Sequence, residues 1–186
     1  MVNLVKKKNL AIILARKGSK RIPKKNIVEF HKKPLIAWTI KAAKESNLFD
    51  NIIVSTDSDE IKRISIDLGA EVPFLRKKHF DDFSPSSLAT LDTLNLCEKE
   101  LGFDYKNVFQ LMPNCPLRTS KDIISSYNFF SKKEAVSQIS CADFGWQNPW
   151  WAIKLNEENS GTPVFPKMFS QRSQDQEKLY GLSGAI

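Results

Sequence analysis

Leu10-Ala11-Ile12-Ile13-Leu14 is an unbroken apolar run of strand length, and it leads straight into Ala15-Arg16-Lys17-Gly18-Ser19-Lys20-Arg21-Ile22-Pro23-Lys24-Lys25-Asn26. Continuous apolarity without alternation predicts a strand buried on both faces, as in a parallel sheet covered by helices. In open α/β sheets ligands bind beyond the carboxyl ends of the strands, and the loop after the first strand is the usual phosphate site. Here residues 16–26 carry six cations and no carboxylate. Gly18 lets the backbone approach a ligand, Ser19 supplies a donor, and Pro23 stiffens the turn. The loop is neither a Walker A sequence, because the second glycine and the Gly-Lys-Ser/Thr ending are missing, nor a GxGxxG turn. Its cation density suits a polyphosphate and the charge that builds up when pyrophosphate leaves.

Outward from that stretch, strand and helix alternate. Pro34 stands where an N1 proline opens a helix running to about Asn47, with Ile36, Ile40 and Ala43 at helical spacing. Asn51 to Ser55 reads as a second strand. Asp57 and Ser58 are cap-type residues before a helix bearing Ile61, Ile64 and Leu68, which stops at Gly69. Glu71 to Leu75 reads as a third strand, and Ser86 or Ser87 caps a helix that ends before Gly102. Val108 to Met112 is a fourth strand, Ser120 opens a helix to about Ser131, and Ala135 to Ile139 is a fifth strand. The pattern predicts an open, mostly parallel α/β sheet with helices on both faces. From Cys141 the character changes. Trp146, Trp150 and Trp151 cluster around Pro149, consistent with an irregular arm or hairpin whose aromatic rings fill a core or form an interface.

The chain has 186 residues, 41% hydrophobic and 26% charged, the composition of a soluble globular domain, with twelve Phe and four Trp to fill a core. One domain spanning 1–186 is the expectation at this length. Cys97, Cys115 and Cys141 lack CxxC spacing and His31 and His79 lie far apart, which argues against a zinc site or a disulfide framework. No apolar run reaches the length of a membrane span, and the apolar stretch near the start is too short for a secretory signal, so a cytoplasmic location is expected. The net charge is +7, but nine of the basic residues fall within the first 26 positions, where there is no acid. The other 160 residues carry 19 basic and 21 acidic groups. The positive field is therefore local to one loop, which fits a small polyanion better than a nucleic acid or a membrane surface. Lys6, Lys7 and Lys8 read as a solvated basic start.

Taken together, LAIILARKGSKRIPKKNI (residues 10–27), KPLIAWTIKAAKES (33–46), NIIVSTDSDEI (51–61), GAEVPFLR (69–76), PSS (85–87) and PLRT (116–119) resemble the acylneuraminate cytidylyltransferases, also called CMP-sialic acid synthetases. The resemblance covers nearly the whole chain. It implies a Rossmann-like nucleotidyltransferase fold in which the anomeric hydroxyl of a nine-carbon α-keto acid sugar attacks the α-phosphate of CTP, with Mg2+ assisting. It also implies site residues. Arg16 and Lys25 would act on the phosphates, while Leu14, Ala15, Gly18, Ser19, Asn26, Arg76, Ser86 and Ser87 would hold the nucleotide. Arg118 and Arg172 would face the sugar, where a carboxylate wants a bidentate partner. Asp57 and Asp59 form a close carboxylate pair, read either as helix caps or as metal or ribose ligands. By the same resemblance, residues 141–175 would form a dimerisation arm.

Two departures bear on the sugar. Met112 stands where the family carries a glutamine, so a hydrogen-bonding group is replaced by one that packs, and Phe83-Ser84 stands where an Asp-Thr pair is usual. The RSQD segment (172–175) and the paired tryptophans resemble relatives acting on legionaminic and pseudaminic acids as well as sialic acid. Kdo-type synthetases fit less well, because their first loop lacks the Gly-Ser-Lys-Arg element. The family also continues past Ser183-Gly184-Ala185-Ile186 with a strand, a metal-binding Asp-x-Asp pair and a final helix, leaving the metal ligands unassigned within these 186 residues. An inactive CTP-binding homologue is the alternative expectation.

Overall fold

The computed structural model describes residues 8–183, which form two compact units divided between Gln138 and Ile139. The expectations for Lys6, Lys7 and the continuation through Gly184 to Ile186 lie outside the described residues.

In the first unit the apolar run becomes strand β1 (Lys8–Leu14) at the centre of a parallel sheet. A two-residue ribbon, β2 (Glu29–Phe30) against β3 (Lys33–Pro34), precedes helix α1 (Leu35–Ser46). Strand β4 (Asn51–Ser55) pairs with β1 on one side, in the register Leu10 to Asn51 through Leu14 to Ser55. Helices α2 (Asp59–Asp67) and α3 (Ser86–Leu101) follow, and β5 (Tyr105–Leu111) pairs with β1 on the other side. Helix α4 (Ser120–Lys132) closes the unit.

Side-chain alternation along β1 explains why the run is apolar throughout. Ala11, Ile13 and Ala15 face a cluster with Ile36 and Ile40 of α1, Ile61 of α2 and Ile123 of α4, whereas Leu10, Ile12 and Leu14 face Ala89 and Cys97 of α3. Both faces are covered, as the pattern predicts. Local chemistry fixes the helix ends. Asn47 and Gly102 take the left-handed conformation that ends α1 and α3, at φ 52° and 67°. Ser58 caps α2 through its Oγ, and Thr119 with Asp122 forms a reciprocal capping box on α4.

Four expectations need correction. Pro34 is the residue before α1 rather than its first position, and Pro85 rather than Ser86 or Ser87 precedes α3. Glu71 to Leu75 is no full strand. Glu71 alone bridges β4, through its N–H to Ile52 O at 2.8 Å and its carbonyl accepting from Val54 N at 2.9 Å. Pro73 two residues on has no N–H with which to extend the ladder. Ala135 to Ile139 is not a strand either: Glu134 turns the chain at φ 50°, and Val136 is fully exposed. The sheet of the first unit therefore has three named strands with Glu71 as a fourth edge, rather than five strands.

The second unit pairs β6 (Cys141–Asp143) with β9 (Tyr180–Leu182), and β7 (Ile153–Leu155) with β8 (Gly161–Pro163), both antiparallel, with the short helix α5 (Pro166–Phe169) between β8 and β9. It begins two residues before the expected arm. Trp150 donates from Nε1 to Glu177 O and meets Phe165 edge to face at 5.2 Å, so part of the tryptophan cluster is internal packing, while Trp146 is 92% exposed. No helix among the described residues is long and apolar enough to cross a membrane.

Candidate functional site

From β1 the chain crosses outward to β4 and then back past β1 to β5, so the strand order reverses between β1 and β5. At such a reversal the loops leaving the two strands diverge and open a crevice at their carboxyl ends. A cavity of about 190 Å3 occupies that place. Leu14, Arg16, Gly18 and Ser19 line it from the β1 side, Lys25 and Asn26 from the end of the basic loop, and Met112, Pro113 and Asn114 from the end of β5. Arg76 and Ser86 complete the expected set.

Four expected residues do not line the cavity. Ala15 is wholly buried, and its N–H extends the β4 ladder to Ser55 O at 3.0 Å. Ser87 is exposed on α3 and absent from the lining. Arg118 is only 8% exposed, and its Nη2 donates to Thr39 Oγ1 at 2.9 Å and to Met112 O at 3.1 Å, tying the end of β5 to α1. Burial holds its guanidinium below the usual arginine pKa. Arg172 belongs to the second unit, where its Nε donates to Asp175 at 2.8 Å. In that unit Trp146, Trp151 and Gln176 line a separate cavity of about 260 Å3. Gln176 donates to Met168 O at 2.6 Å while its Oε1 is buried without a partner among the described residues.

The basic loop lacks carboxylates in sequence but acquires them in space. Asp82, from the segment between β4 and α3, accepts from Arg16 Nη2 and from Lys20 Nζ, each at 2.5 Å. Those two partners hold its carboxyl below the usual range, Lys20 contributing most. Arg16 Nη1 also donates to Phe80 O at 3.2 Å. On the other flank Glu60 of α2 pairs with Lys24 at 3.0 Å, and Asp57 accepts from Lys17 N at 2.7 Å. Lys25 has no ion-pair partner among the described residues and lines the cavity. Asn26, 5% exposed, donates to Arg16 O at 2.9 Å and so shapes the loop from within.

Arg76 is the most unusual group in the cavity wall. It is 5% exposed, and its Nε is buried without a hydrogen-bond partner among the described residues. Burial pushes its pKa down, with Asp57 and Asp92 opposing and the Arg16 charge adding to the fall. A buried guanidinium left unsatisfied is costly unless a ligand supplies the acceptor.

The lining also includes His79, Asp81, Asp82 and Ser84, none of them among the expected site residues, although Ser84 belongs to one of the two departures from the family pattern. Asp81 accepts from Phe83 N, Ser84 N and Ser84 Oγ at 2.7 to 2.8 Å, and those bonds pull its carboxyl down to about 2, the Ser84 hydroxyl contributing most. Asp-x-x-Ser is a turn signature, the one sequence clue that this segment is ordered. The carboxylates here do not make a preformed cation cradle. Asp81 is saturated by its own turn and Asp82 by two cations, Asp57 holds Lys17, and no group of three His, Cys, Asp or Glu able to hold a metal occurs among the described residues. These residues therefore do not fit a preformed Mg2+ site.

A parallel α/β sheet whose crevice combines a basic loop, a buried arginine and serine donors defines a nucleotide-binding α/β domain of the nucleotidyltransferase kind. The structure is similar to that of a CMP:2-keto-3-deoxy-manno-octonic acid synthetase complexed with CTP (TM-score 0.64, 17% identity, 93% of this chain and 70% of that one). At the sequence level, residues 10–100 match the cytidylyltransferase family. The chain is 36% identical over 180 residues to a pseudaminic acid cytidylyltransferase of Campylobacter jejuni subsp. jejuni, covering 96% of this chain and 77% of that one. It is 31% identical to a CMP-N,N'-diacetyllegionaminic acid synthase of Legionella pneumophila, covering 95% of this chain and 75% of that one. The chain belongs to the cytidylyltransferase family.

Proposed function

We propose that this chain transfers the cytidylyl group of CTP to the anomeric hydroxyl of a nine-carbon nonulosonic acid. The anomeric oxygen forms a bond to the α-phosphorus, the bond to the bridging oxygen of the β-phosphate breaks, pyrophosphate leaves, and the hydroxyl proton passes to solvent. The observation that carries this reading is the crevice between β1 and β5, where Arg16, Lys25 and Arg76 line one cavity. In it, Arg16 is a bidentate donor for phosphate oxygens and Lys25 a mobile point charge able to follow the transferring phosphorus. Gly18 and Ser19 supply close backbone and hydroxyl contact. Asn26, Arg76 and Ser86 meet the nucleoside, Arg76 donating to an acceptor on the base.

Among nonulosonic acids, pseudaminic acid is the first choice, supported by the 36% identity to a pseudaminic acid cytidylyltransferase. Met112 in the cavity wall fits a sugar with apolar surface at that point better than one offering a hydroxyl. Legionaminic and sialic acids are the alternatives. Within this proposal the described carboxylates leave Mg2+ to be held by the triphosphate itself, where it would neutralise phosphate charge. The second unit, residues 141–175 in particular, is proposed as the surface of a homodimer, with Arg172 presented to a sugar carboxylate. A cytoplasmic location is part of the same proposal.

The experiment is incubation of the purified chain with CTP, Mg2+ and separately pseudaminic, legionaminic, N-acetylneuraminic and Kdo acids, with pyrophosphate release and CMP-sugar mass as readouts. CMP-pseudaminic acid formed fastest supports the proposal. CTP bound with no product from any sugar would establish instead a CTP-binding homologue without turnover.

A further inference from the structure

Gln110 lies on β5 two residues before Met112, with its amide beneath the first turn of α3. Thr90 Oγ1 donates to Gln110 Oε1 at 2.6 Å, and Gln110 Nε2 reaches Ser86 Oγ at 3.3 Å and Met112 Sδ at 3.8 Å. Two facts fix the orientation of that amide. A separation of 2.6 Å is an O–H···O distance and too short for an ordinary N–H···O bond. The thioether sulfur can only accept, so it wants the NH2 end. The direction of the chain is thus set: Thr90 gives a proton to Gln110, and Gln110 gives one to Ser86.

Ser86 is the first residue of α3 and lines the cavity. With its oxygen accepting from Gln110, its own proton meets no acceptor among the described residues and, on an exposed residue at the cavity rim, is left to solvent in the free protein and to a ligand in the cavity. We infer that Gln110 is a positioning residue that holds Ser86 as a one-way donor toward the bound nucleotide. Gln110 itself is not part of the cavity lining, and it acts through Ser86. The inference rests on the cytidylyl-transfer reading, since CTP is the ligand whose acceptor atoms Ser86 would meet.

The test is a double-mutant cycle read by calorimetric titration with CTP. In Gln110→Glu, Thr90 still donates to one carboxylate oxygen, but the other takes the Ser86 proton, so Ser86 can only accept. Ser86→Ala and Gln110→Glu should each weaken CTP binding about fivefold, the equivalent of one neutral hydrogen bond. In the Ser86→Ala background Gln110→Glu should have less than a twofold further effect. Gln110→Met, which frees the Ser86 hydroxyl to rotate, should cost about two- to threefold and lose that effect without Ser86. A merely structural role would make the losses multiply, because a weakened α3 anchor does not depend on the Ser86 hydroxyl. Multiplying losses with either Gln110 variant overturns the inference while wild-type CTP binding keeps the larger reading intact. Absence of CTP binding by the wild type removes both.

Discussion

Replacing Arg76 with methionine should make the protein more stable and less able to bind CTP, an opposition that few single substitutions produce. Arg76 is 5% exposed, with a buried Nε that has no partner among the described residues. An unsatisfied buried donor costs about 1–3 kcal/mol, and removing buried charge in favour of an apolar side chain of similar length recovers part of that. A gain of about 1–2 kcal/mol corresponds in a chain of this size to a rise in Tm of about 2–8 °C. The backbone would hold its place, because Arg76 N bonds Thr56 O at 2.7 Å whatever the side chain. Losing a charge-assisted hydrogen bond to the nucleotide should raise the Kd for CTP roughly 10- to 150-fold. Thermal unfolding without ligand and calorimetric titration with CTP, on wild type and Arg76→Met side by side, measure both. A variant with lowered Tm and unchanged CTP affinity would refute the reasoning, because Arg76 would then be a structural cation already satisfied in the free protein.

Asp82→Asn should bind CTP more tightly, by roughly two- to fivefold at low salt, since Asp82 holds Arg16 and Lys20 where phosphate oxygens would otherwise sit. The gain should fade as salt screens the pair, and weaker binding would show that Asp82 aims Arg16 instead. The turn at residues 81–84 should persist far into acid. Its carboxyl titrates at about 2 in the folded chain against the ordinary carboxylate value near 4, so its contribution is complete above about pH 4 and lost as pH falls toward 2. Amide exchange at Phe83 and Ser84 would follow that window, and an onset near pH 5 would contradict it. Cys141 is exposed and Cys97 is buried in α3 with its thiol pushed up to about 12, so alkylation of the native protein should modify Cys141 and spare Cys97 until the chain unfolds.

The central sheet could be read from the residues because each of its signals is local. Leu10 to Leu14 needs no partner to announce a doubly buried strand, and Asn47 and Gly102 stop their helices through their own backbone conformations. The apolar pattern at 135–139 has the spacing of a strand, but once Glu134 has turned the chain it pairs with no strand among the described residues. Pro73 shortens the strand at 71–75 for a reason visible in the sequence itself, since it has no N–H for the ladder.

The candidate site divides in the same way. Arg16, Lys25 and Asn26 follow directly from the loop after β1. The carboxylates that meet it, Glu60 and Asp82, come from 36 and 62 or more residues away and leave no trace in local composition. Counting charge over residues 1–26 therefore overstated the free positive field. Arg118 shows the converse. In sequence it is an isolated arginine on the expected sugar side, and in the fold it is an internal brace between β5 and α1. Nothing in the string PLRT distinguishes those roles, because the distinction lies in Thr39, 79 positions earlier.

The most direct test of the account is calorimetric titration of the 186-residue chain with CTP and, in parallel, UTP, repeated with Arg16→Ala. The account predicts one CTP site per chain, CTP preferred over UTP by at least tenfold, and a loss of affinity of tenfold or more in the variant, as expected for a charge-assisted phosphate contact. Equal binding of the two nucleotides, or CTP affinity that survives Arg16→Ala in a folded sample, would contradict it.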